Sequence, residues 1–299
     1  MVTLSKREIR EAVRQALAED LGSGDATTLA TVPARTKATA VMVAREPLVV
    51  AGLAFAVAAF RELGPRIRVR CEVRDGEHLG NGRTLLRVEG PARALLSAER
   101  VALNFLQRLS GIATLTAAYV AAVADTRARI LDTRKTTPGW RRFEKYAVAC
   151  GGGQNHRLGL ADMILIKDNH LVALRDAAPN AIAAAVERSR AACPHLRVEV
   201  EADTLTQVGQ AVAARADLVL LDNMRPPLLR RAVAIVAGRC QTEASGGVNL
   251  RNVRATAKTG VDFISVGALT HSARAVDIGL DFDPRQPGGD RSMPHECRH

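Results

Sequence analysis

Between Leu131 and His170 the sequence gathers cations around a glycine run. Arg134, Lys135, Arg141, Arg142 and Lys145 come first, then Gly151-Gly152-Gly153, then Gln154-Asn155-His156-Arg157, and finally Lys167. Arginine can grip a planar carboxylate through two parallel hydrogen bonds. Lysine suits a phosphate as a point charge. Glycine lets backbone approach a ligand closely, and exposed backbone amides can cradle oxygens. Two or three such arginines suit a dicarboxylate, so the segment reads as a site for small, highly charged anions. A triple glycine alone marks a flexible loop as readily; the company of His156, Arg157 and Lys167 favours the site.

Glu201 and Asp222 form the other half. Among so many cations they could hold sugar hydroxyls, share a magnesium ion, stabilise a developing positive sugar, or simply pair with nearby Lys and Arg. Glu199, two residues before Glu201, would point the same way on a strand. Further on, Ser245-Gly246-Gly247 and Gly267 stand in runs of small residues. Such loops let backbone amides hold a phosphate, although tight turns explain either loop by itself.

These residues can meet only if the elements between them cooperate. After about Gly111, short apolar runs alternate with Ala-rich helical stretches. The expected strands are Ala128–Leu131, Met163–Ile166, Val198–Val200, Leu218–Leu221, Gln241–Glu243 and Phe263–Val266. The expected helices include 177–192, 205–214, 227–237 and 250–259. Strand–helix alternation implies parallel strands with right-handed crossovers. Each apolar run stops on the residues above: Asp132-Thr133-Arg134-Lys135, Lys167-Asp168-Asn169, Glu201, Asp222-Asn223, Ser245-Gly246-Gly247 and Gly267. In a β/α barrel those ends share one face, where chemistry is built. The first part of the chain reads as a mixed α+β domain: a helix over 3–20, a turn-rich loop over 20–28, strand over 36–50, helix over 51–63, strands with tight turns at Asp75-Gly76 and Asn81-Gly82, and helix over 99–110.

Asp132-Thr133-Arg134-Lys135-Thr136-Thr137-Pro138-Gly139, Glu144-Lys145-Tyr146-Ala147-Val148, Gly151 to Arg157, Lys167-Asp168-Asn169-His170, Glu199-Val200-Glu201 and Glu243-Ala244-Ser245-Gly246-Gly247 together resemble the signature segments of the quinolinate phosphoribosyltransferase family. Gly24 to Thr28 and Glu99 to Leu106 resemble it too, so the likeness spans about residues 8–281. The resemblance implies an N-terminal α/β sandwich domain (1–110) and an incomplete, open β/α barrel (111–281); the remainder, 282–299, rich in Pro, Gly, Arg and Asp and without periodicity, reads as a flexible tail. It implies a homodimer or a multiple of dimers with shared active sites, Arg100 reaching across to the neighbour's quinolinate. Arg134 and Arg157 would bind the substrate carboxylates, with His156 and Lys167 nearby. Lys135 and Lys167 would contact phosphoribosyl pyrophosphate. Glu201 and Asp222 would hold the ribose hydroxyls and Mg2+, directly or through the substrate. Ser245, Gly246, Gly247 and Gly267 would cradle the 5-phosphate. Lys135, Lys167, Glu201 and Asp222 are the expected catalytic group. The implied products are nicotinate mononucleotide, pyrophosphate and CO2, on the route to NAD, with no protein nucleophile and no redox cofactor. Residues 141–142 and 149–150 are not fixed by this pattern, and the basic tail is extra.

Composition sets the bounds. The 299 residues suit two domains, and 47% apolar with 24% charged is ordinary for a globular chain. No apolar run reaches the roughly 18–20 residues of a membrane span, and the charged start Lys6-Arg7-Glu8 does not read as a signal peptide. Cys71, Cys150, Cys193, Cys240 and Cys297 are scattered, with no CxxC pair, and read as free thiols in a reducing cytosol. His295 and His299 flank the last of them in the tail. A net charge of +11 could serve nucleic acid. Aromatic residues are only 3%, however, and no basic arm or recognition motif is present. Within the same fold, a nicotinate phosphoribosyltransferase is the nearest rival, and several arginines favour two carboxylates over one. An inactive scaffold would not need the full set of charged residues.

Overall fold

The computed structural model describes residues 2–283. The tail expected over 282–299 lies outside the described residues from 284 on, with His295, Cys297 and His299. Along the chain come α1 (Lys6–Leu21), α2 (Ala26–Thr31), β1 (Lys37–Ala44), β2 (Leu48–Val49), α3 (Leu53–Leu63), β3 (Arg68–Cys71), β4 (His78–Leu79), β5 (Thr84–Pro91) and α4 (Ala92–Ala122). Then follow β6 (Arg129–Leu131), α5 (Arg141–Cys150), β7 (Ile164–Ile166), α6 (Asp168–Val172), α7 (Ala181–Ala192), β8 (Val198–Ala202), α8 (Leu205–Ala213) and β9 (Leu218–Asp222). The last are α9 (Pro226–Val236), β10 (Gln241–Ser245), α10 (Val253–Ala257), β11 (Phe263–Ser265), α11 (Ala268–His271) and β12 (Ile278–Phe282). No helix among the described residues is long and apolar enough to cross a membrane.

The chain divides into two compact units. One comprises Gly52–Gln107 with residues 5–48 and 276–283. The other comprises Arg108–Ala275 with Val49–Ala51 and residues 2–4. The division falls inside α4, a 31-residue helix that extends well beyond the expected 99–110.

In the first unit, strand periodicity sets the sheet. β1 buries Ala40, Met42 and Ala44 at alternate positions, as one half-buried face requires. It lies between β5 and β12 in an antiparallel sheet ordered β12-β1-β5-β3. The expected tight turns are present, with Gly76 and Gly82 at positive φ. α1 begins at a capping box in which Ser5 and Glu8 satisfy each other's backbone amides. It turns Val13 and Leu17 inward. Asp25 accepts from Thr28 N at 2.9 Å and starts α2 where only a loop is expected from sequence.

In the second unit, six parallel strands form one open sheet ordered β6-β11-β10-β9-β8-β7. Val198, Val200, Val219, Leu221, Ala244 and Ile264 are buried along it, the continuous apolar pattern of strands covered on both faces. Because all six run the same way, their C-terminal ends share one edge. The opposite edge carries its own arginines, around a cleft of about 850 Å³ lined by Arg127, Arg190, Arg215 and Arg239. There Arg190 donates to Arg215 O at 2.6 Å and Arg239 to Val236 O at 3.2 Å, beside the C-termini of α8 and α9. Cations are favoured at that end of a helix. Asp217 and Asp262 accept from Val198 N at 2.7 Å and Thr242 N at 2.9 Å, satisfying amides where strands begin.

Two features of this unit brace the segment 131–157. Lys145 and Asp132 form a fully buried ion pair. Asp132 also accepts from Asn155 Nδ2 at 2.7 Å and His156 N at 2.9 Å, while Lys145 Nζ donates to His156 O at 3.1 Å. Burial pushes Asp132 up and Lys145 down from their ordinary pKa values, and their mutual attraction opposes both shifts. The second feature is the glycine run, which serves packing rather than the anion cradle expected above. A Cβ on Gly151 would lie 2.3 Å from Ala113 O, and one on Gly153 would lie 2.8 Å from Thr116 Cγ2. These glycines let the end of α5 press against α4.

Both braces can be tested by stability. Gly151→Ala forces a backbone shift, and overpacking of this kind costs about 1–3 kcal/mol; a lowered urea midpoint is expected, and an unchanged one would mean the contact yields freely. Lys145→Met strands the buried Asp132 and costs about 3–5 kcal/mol. The double change Lys145→Met with Asp132→Asn is expected to recover a large part of that loss in the same titration.

Candidate active site

The C-terminal edge of the six-stranded sheet opens into a cleft of about 410 Å³. Arg134 and Lys135 reach it from the loop after β6, His156 and Arg157 from the loop after α5, and Lys167 from the end of β7. Glu201 comes from β8, Asp222 from β9, and Ser245, Gly246 and Gly247 from β10 and the loop beyond. Gly267 stands behind Lys135: a Cβ there would lie 3.1 Å from Lys135 Cδ. Arg100, exposed on α4 in the other compact unit, does not line the cleft.

The cations sit on rigid backing. Buried Glu144 accepts from Thr137 N at 3.0 Å and from Arg108 Nη2 at 2.9 Å, and Thr270 Oγ1 donates to Lys135 O at 2.7 Å. The loop carrying Arg134 and Lys135 is thus tied at both ends. The buried Nε of Arg134 has no hydrogen-bond partner. Arg157 donates through Nη1 to Met163 O at 3.1 Å. Burial, and after it the charge of Arg134, pushes the Arg157 guanidinium below its ordinary pKa. Two guanidiniums that repel each other in one cleft are stabilised by an anion that both can grip.

Lys167 is exposed rather than buried, since it follows the last residue of β7; its Nζ lies 3.7 Å from Glu201 Oε2. Burial raises the Glu201 pKa; Lys167 opposes the rise, and the charges of Asp222 and Asp168 add to it. Half-buried carboxylates that repel one another offer hard oxygen donors to a divalent cation, and the pair Glu201 and Asp222 fits Mg2+ on that ground.

Beneath these groups His156, expected from sequence beside the substrate carboxylates, meets Glu199, expected to share the orientation of Glu201, and Glu243, which has no expected role. Both carboxylates are fully buried. Burial opposes a charged imidazolium, but the hydrogen bonds and charges of Glu199 and Glu243 outweigh it and raise His156 to about 10. Burial and the charge of Glu243 raise Glu199 to about 7, against the pull of His156. Arg157 N meets His156 Nδ1 at 2.8 Å. Nε2 faces Glu199 Oε2 at 3.0 Å and Glu243 Oε2 at 3.5 Å. Oε1 of Glu199 and both oxygens of Glu243 have no hydrogen-bond partner. The three side chains bring ligand atoms within 4.8 Å of one another, close enough for a metal ion. A protonated Nε2 has no lone pair to give one. Glu199 could be found from sequence by its i−2 relation to Glu201; Glu243 bears the same relation to Ser245.

Comparison with known proteins agrees with this geometry. The model of the quinolinate phosphoribosyl transferase N-terminal domain matches residues 25–110, and that of the C-terminal domain matches residues 112–281. A nicotinate-nucleotide pyrophosphorylase (carboxylating) of Mycobacterium leprae is 49% identical over 91% of this chain and 96% of its own. A probable one from Bacillus subtilis is 41% identical over 92% and 93%. The solved structure of the Francisella tularensis nicotinate-nucleotide pyrophosphorylase superposes with a TM-score of 0.89 at 38% identity, covering 94% of this chain and 98% of that one. Both domain models match in order, and near-full-length relatives align over more than nine-tenths of the sequence, so the chain belongs to the quinolinate phosphoribosyl transferase family.

Proposed function

We propose that the protein transfers the phosphoribosyl group of phosphoribosyl pyrophosphate to quinolinate, with Mg2+, releasing pyrophosphate and CO2 and leaving nicotinate mononucleotide for NAD synthesis. The observation that carries this reading is the cleft itself: burial and then the charge of Arg134 disfavour the charge on Arg157 there, and lysines, carboxylates and a glycine loop stand at the neighbouring strand ends.

The two guanidiniums hold the pyridine dicarboxylate, with the His156 cluster bracing the loop that carries Arg157. Lys135 and Lys167 meet the pyrophosphate. Glu201 and Asp222 hold the ribose hydroxyls and would hold Mg2+, directly or through the substrate. Ser245, Gly246, Gly247 and Gly267 receive the 5-phosphate on backbone amides. When bound, Mg2+ supplies charge neutralisation that makes pyrophosphate a better leaving group. As the bond from the anomeric carbon to pyrophosphate breaks, positive charge grows on the sugar, and the half-buried carboxylates favour it electrostatically. The pyridine nitrogen forms the new bond to that carbon and becomes cationic. It then draws in the electron pair released when the adjacent C–CO2 bond breaks; CO2 leaves, and the ring carbon takes a proton from solvent. No protein nucleophile is needed.

The working unit in this proposal is a dimer or a multiple of dimers in the cytoplasm, with Arg100 supplied to each cleft by a second copy.

The deciding assay combines purified protein with quinolinate, phosphoribosyl pyrophosphate and Mg2+, omitting each in turn. Nicotinate mononucleotide and CO2 are expected only with all three. Product from nicotinate but not quinolinate would replace the named substrate. Chelation with EDTA should stop turnover and added Mg2+ restore it. Arg134→Ala removes up to two charge-assisted hydrogen bonds at about 1.5–3 kcal/mol each, a loss in quinolinate affinity of about a hundredfold or more; unchanged calorimetric binding would count heavily against the assignment.

A further inference from the structure

The cleft's ribose end and its phosphate end come from adjacent strands. Asp222 and Ser245 are register partners at the C-terminal ends of β9 and β10. Beyond that pair the strands stop, and nothing in the sheet fixes how the Asp222 carboxylate stands relative to the loop at 245–247. One side chain spans the gap. We propose that Asn223 is a positioning residue that locks the Asp222 carboxylate and the Ser245–Gly247 loop into a single unit, so that the sugar and its 5-phosphate are held at a set spacing. The inference deepens the reading of the cleft as a phosphoribosyl site and rests on it.

Three contacts make the link. The Asn223 backbone N–H donates to Ser245 O at 2.9 Å, which carries the inter-strand ladder one bond past the end of the strands. Its side-chain Nδ2 donates to Asp222 Oδ2 at 2.6 Å, the one hydrogen bond Asp222 makes with its side chain among the described residues. Its Oδ1 and Cγ lie over the α-carbon of Gly246: a Cβ there would be 2.1 Å from Oδ1, 2.7 Å from Cγ and 3.0 Å from the Asn223 backbone N. Gly246, at φ +93°, is therefore a glycine twice over, for its backbone conformation and for the room Asn223 needs.

The backbone at Asn223 supports the same conclusion. It sits at φ +52°, one of three non-glycine residues with positive φ among those described. The other two, Arg215 and Ala237, follow the ends of α8 and α9, where a left-handed residue is the usual helix stop. Asn223 follows a strand, where no such habit applies. Asparagine tolerates this region better than other side chains, and the conformation turns its amide back onto Asp222 while keeping its backbone N–H on Ser245. Strain of this kind persists where surrounding contacts over-determine it, and such places cluster at ligand sites.

Asn223→Asp and Asn223→Gly separate this role from a merely structural one. Aspartate keeps the size but turns the donor into a second carboxylate against Asp222; glycine relieves the positive φ and removes both side-chain contacts. Both variants are expected to fold, with melting temperatures close to that of the wild type, glycine being the safer. In calorimetry with Mg2+, phosphoribosyl pyrophosphate should bind about tenfold or more weakly to each, and its KM should rise accordingly, while quinolinate affinity stays within about twofold. Equal loss of both ligands would indicate a general loosening of the cleft and overturn the proposal. So would unchanged phosphoribosyl pyrophosphate binding in the glycine variant. Failure of the wild-type protein itself to bind phosphoribosyl pyrophosphate would sink the reading of the cleft, and the proposal with it; wild-type binding with unaffected variants would sink only the role of Asn223.

Discussion

Like charges held together at the strand ends set the constraint on which this protein depends. Arg134 disfavours the charge on Arg157, and Lys135 and Lys167 share their cleft. Left on flexible loops these groups would spread into water. The loops carrying Arg134, Lys135 and Arg157 are anchored underneath by buried carboxylates: Asp132 under residues 155–156, Glu144 under Thr137, and Glu199 with Glu243 under His156. The repulsion is thus stored in the folded protein. Preorganisation of this kind lets charge stabilisation act at the moment of reaction without reorganising the site.

The parallel sheet makes the arrangement possible by sorting charge to its two edges. At one edge the strands end, and cations there face a cleft. At the other, arginines meet helix C-termini and strand-starting amides meet aspartates. A large positive net charge therefore has two separate origins in this unit. Part of it caps elements, and part of it is concentrated where a ligand can use it. Overall charge could not distinguish them, whereas position along each strand does.

That distinction also governs what the sequence disclosed. Strand ends are legible because apolar runs stop abruptly, and Lys135, Lys167, Glu201 and Asp222 stood out by standing at those stops. The six strands of the parallel sheet lie within a few residues of the expected runs. Other elements carried no signal of their own. α5 spans Arg141–Cys150, where the density of cations reads as a binding loop, because its helix is specified by burial of Glu144, Lys145, Ala147 and Val148 and not by an apolar stripe. β12 returns to pair with β1, a contact across more than two hundred residues that local pattern cannot show. The glycine run was misleading for a physical reason: close approach is what glycine permits, and sequence does not say whether the approaching group is a phosphate or a helix. Here it is α4.

The buried carboxylates show the same limit from the other side. Nothing local in the sequence marks Asp132, Glu144 or Glu243 as buried, and Glu199 stands out only by its spacing from Glu201. Folding takes all four out of water, and each then needs a proton, a cation or several donors. Asp132 finds a lysine and two N–H groups, and Glu144 an arginine and the Thr137 backbone. Glu199 and Glu243 find one imidazole between them, His156 Nε2 lying 3.0 Å from the first and 3.5 Å from the second. Their hydrogen bonds and charges hold a proton on that imidazole against the cost of its burial, so the two acids are matched by a cation directly beneath the loop that carries Arg157.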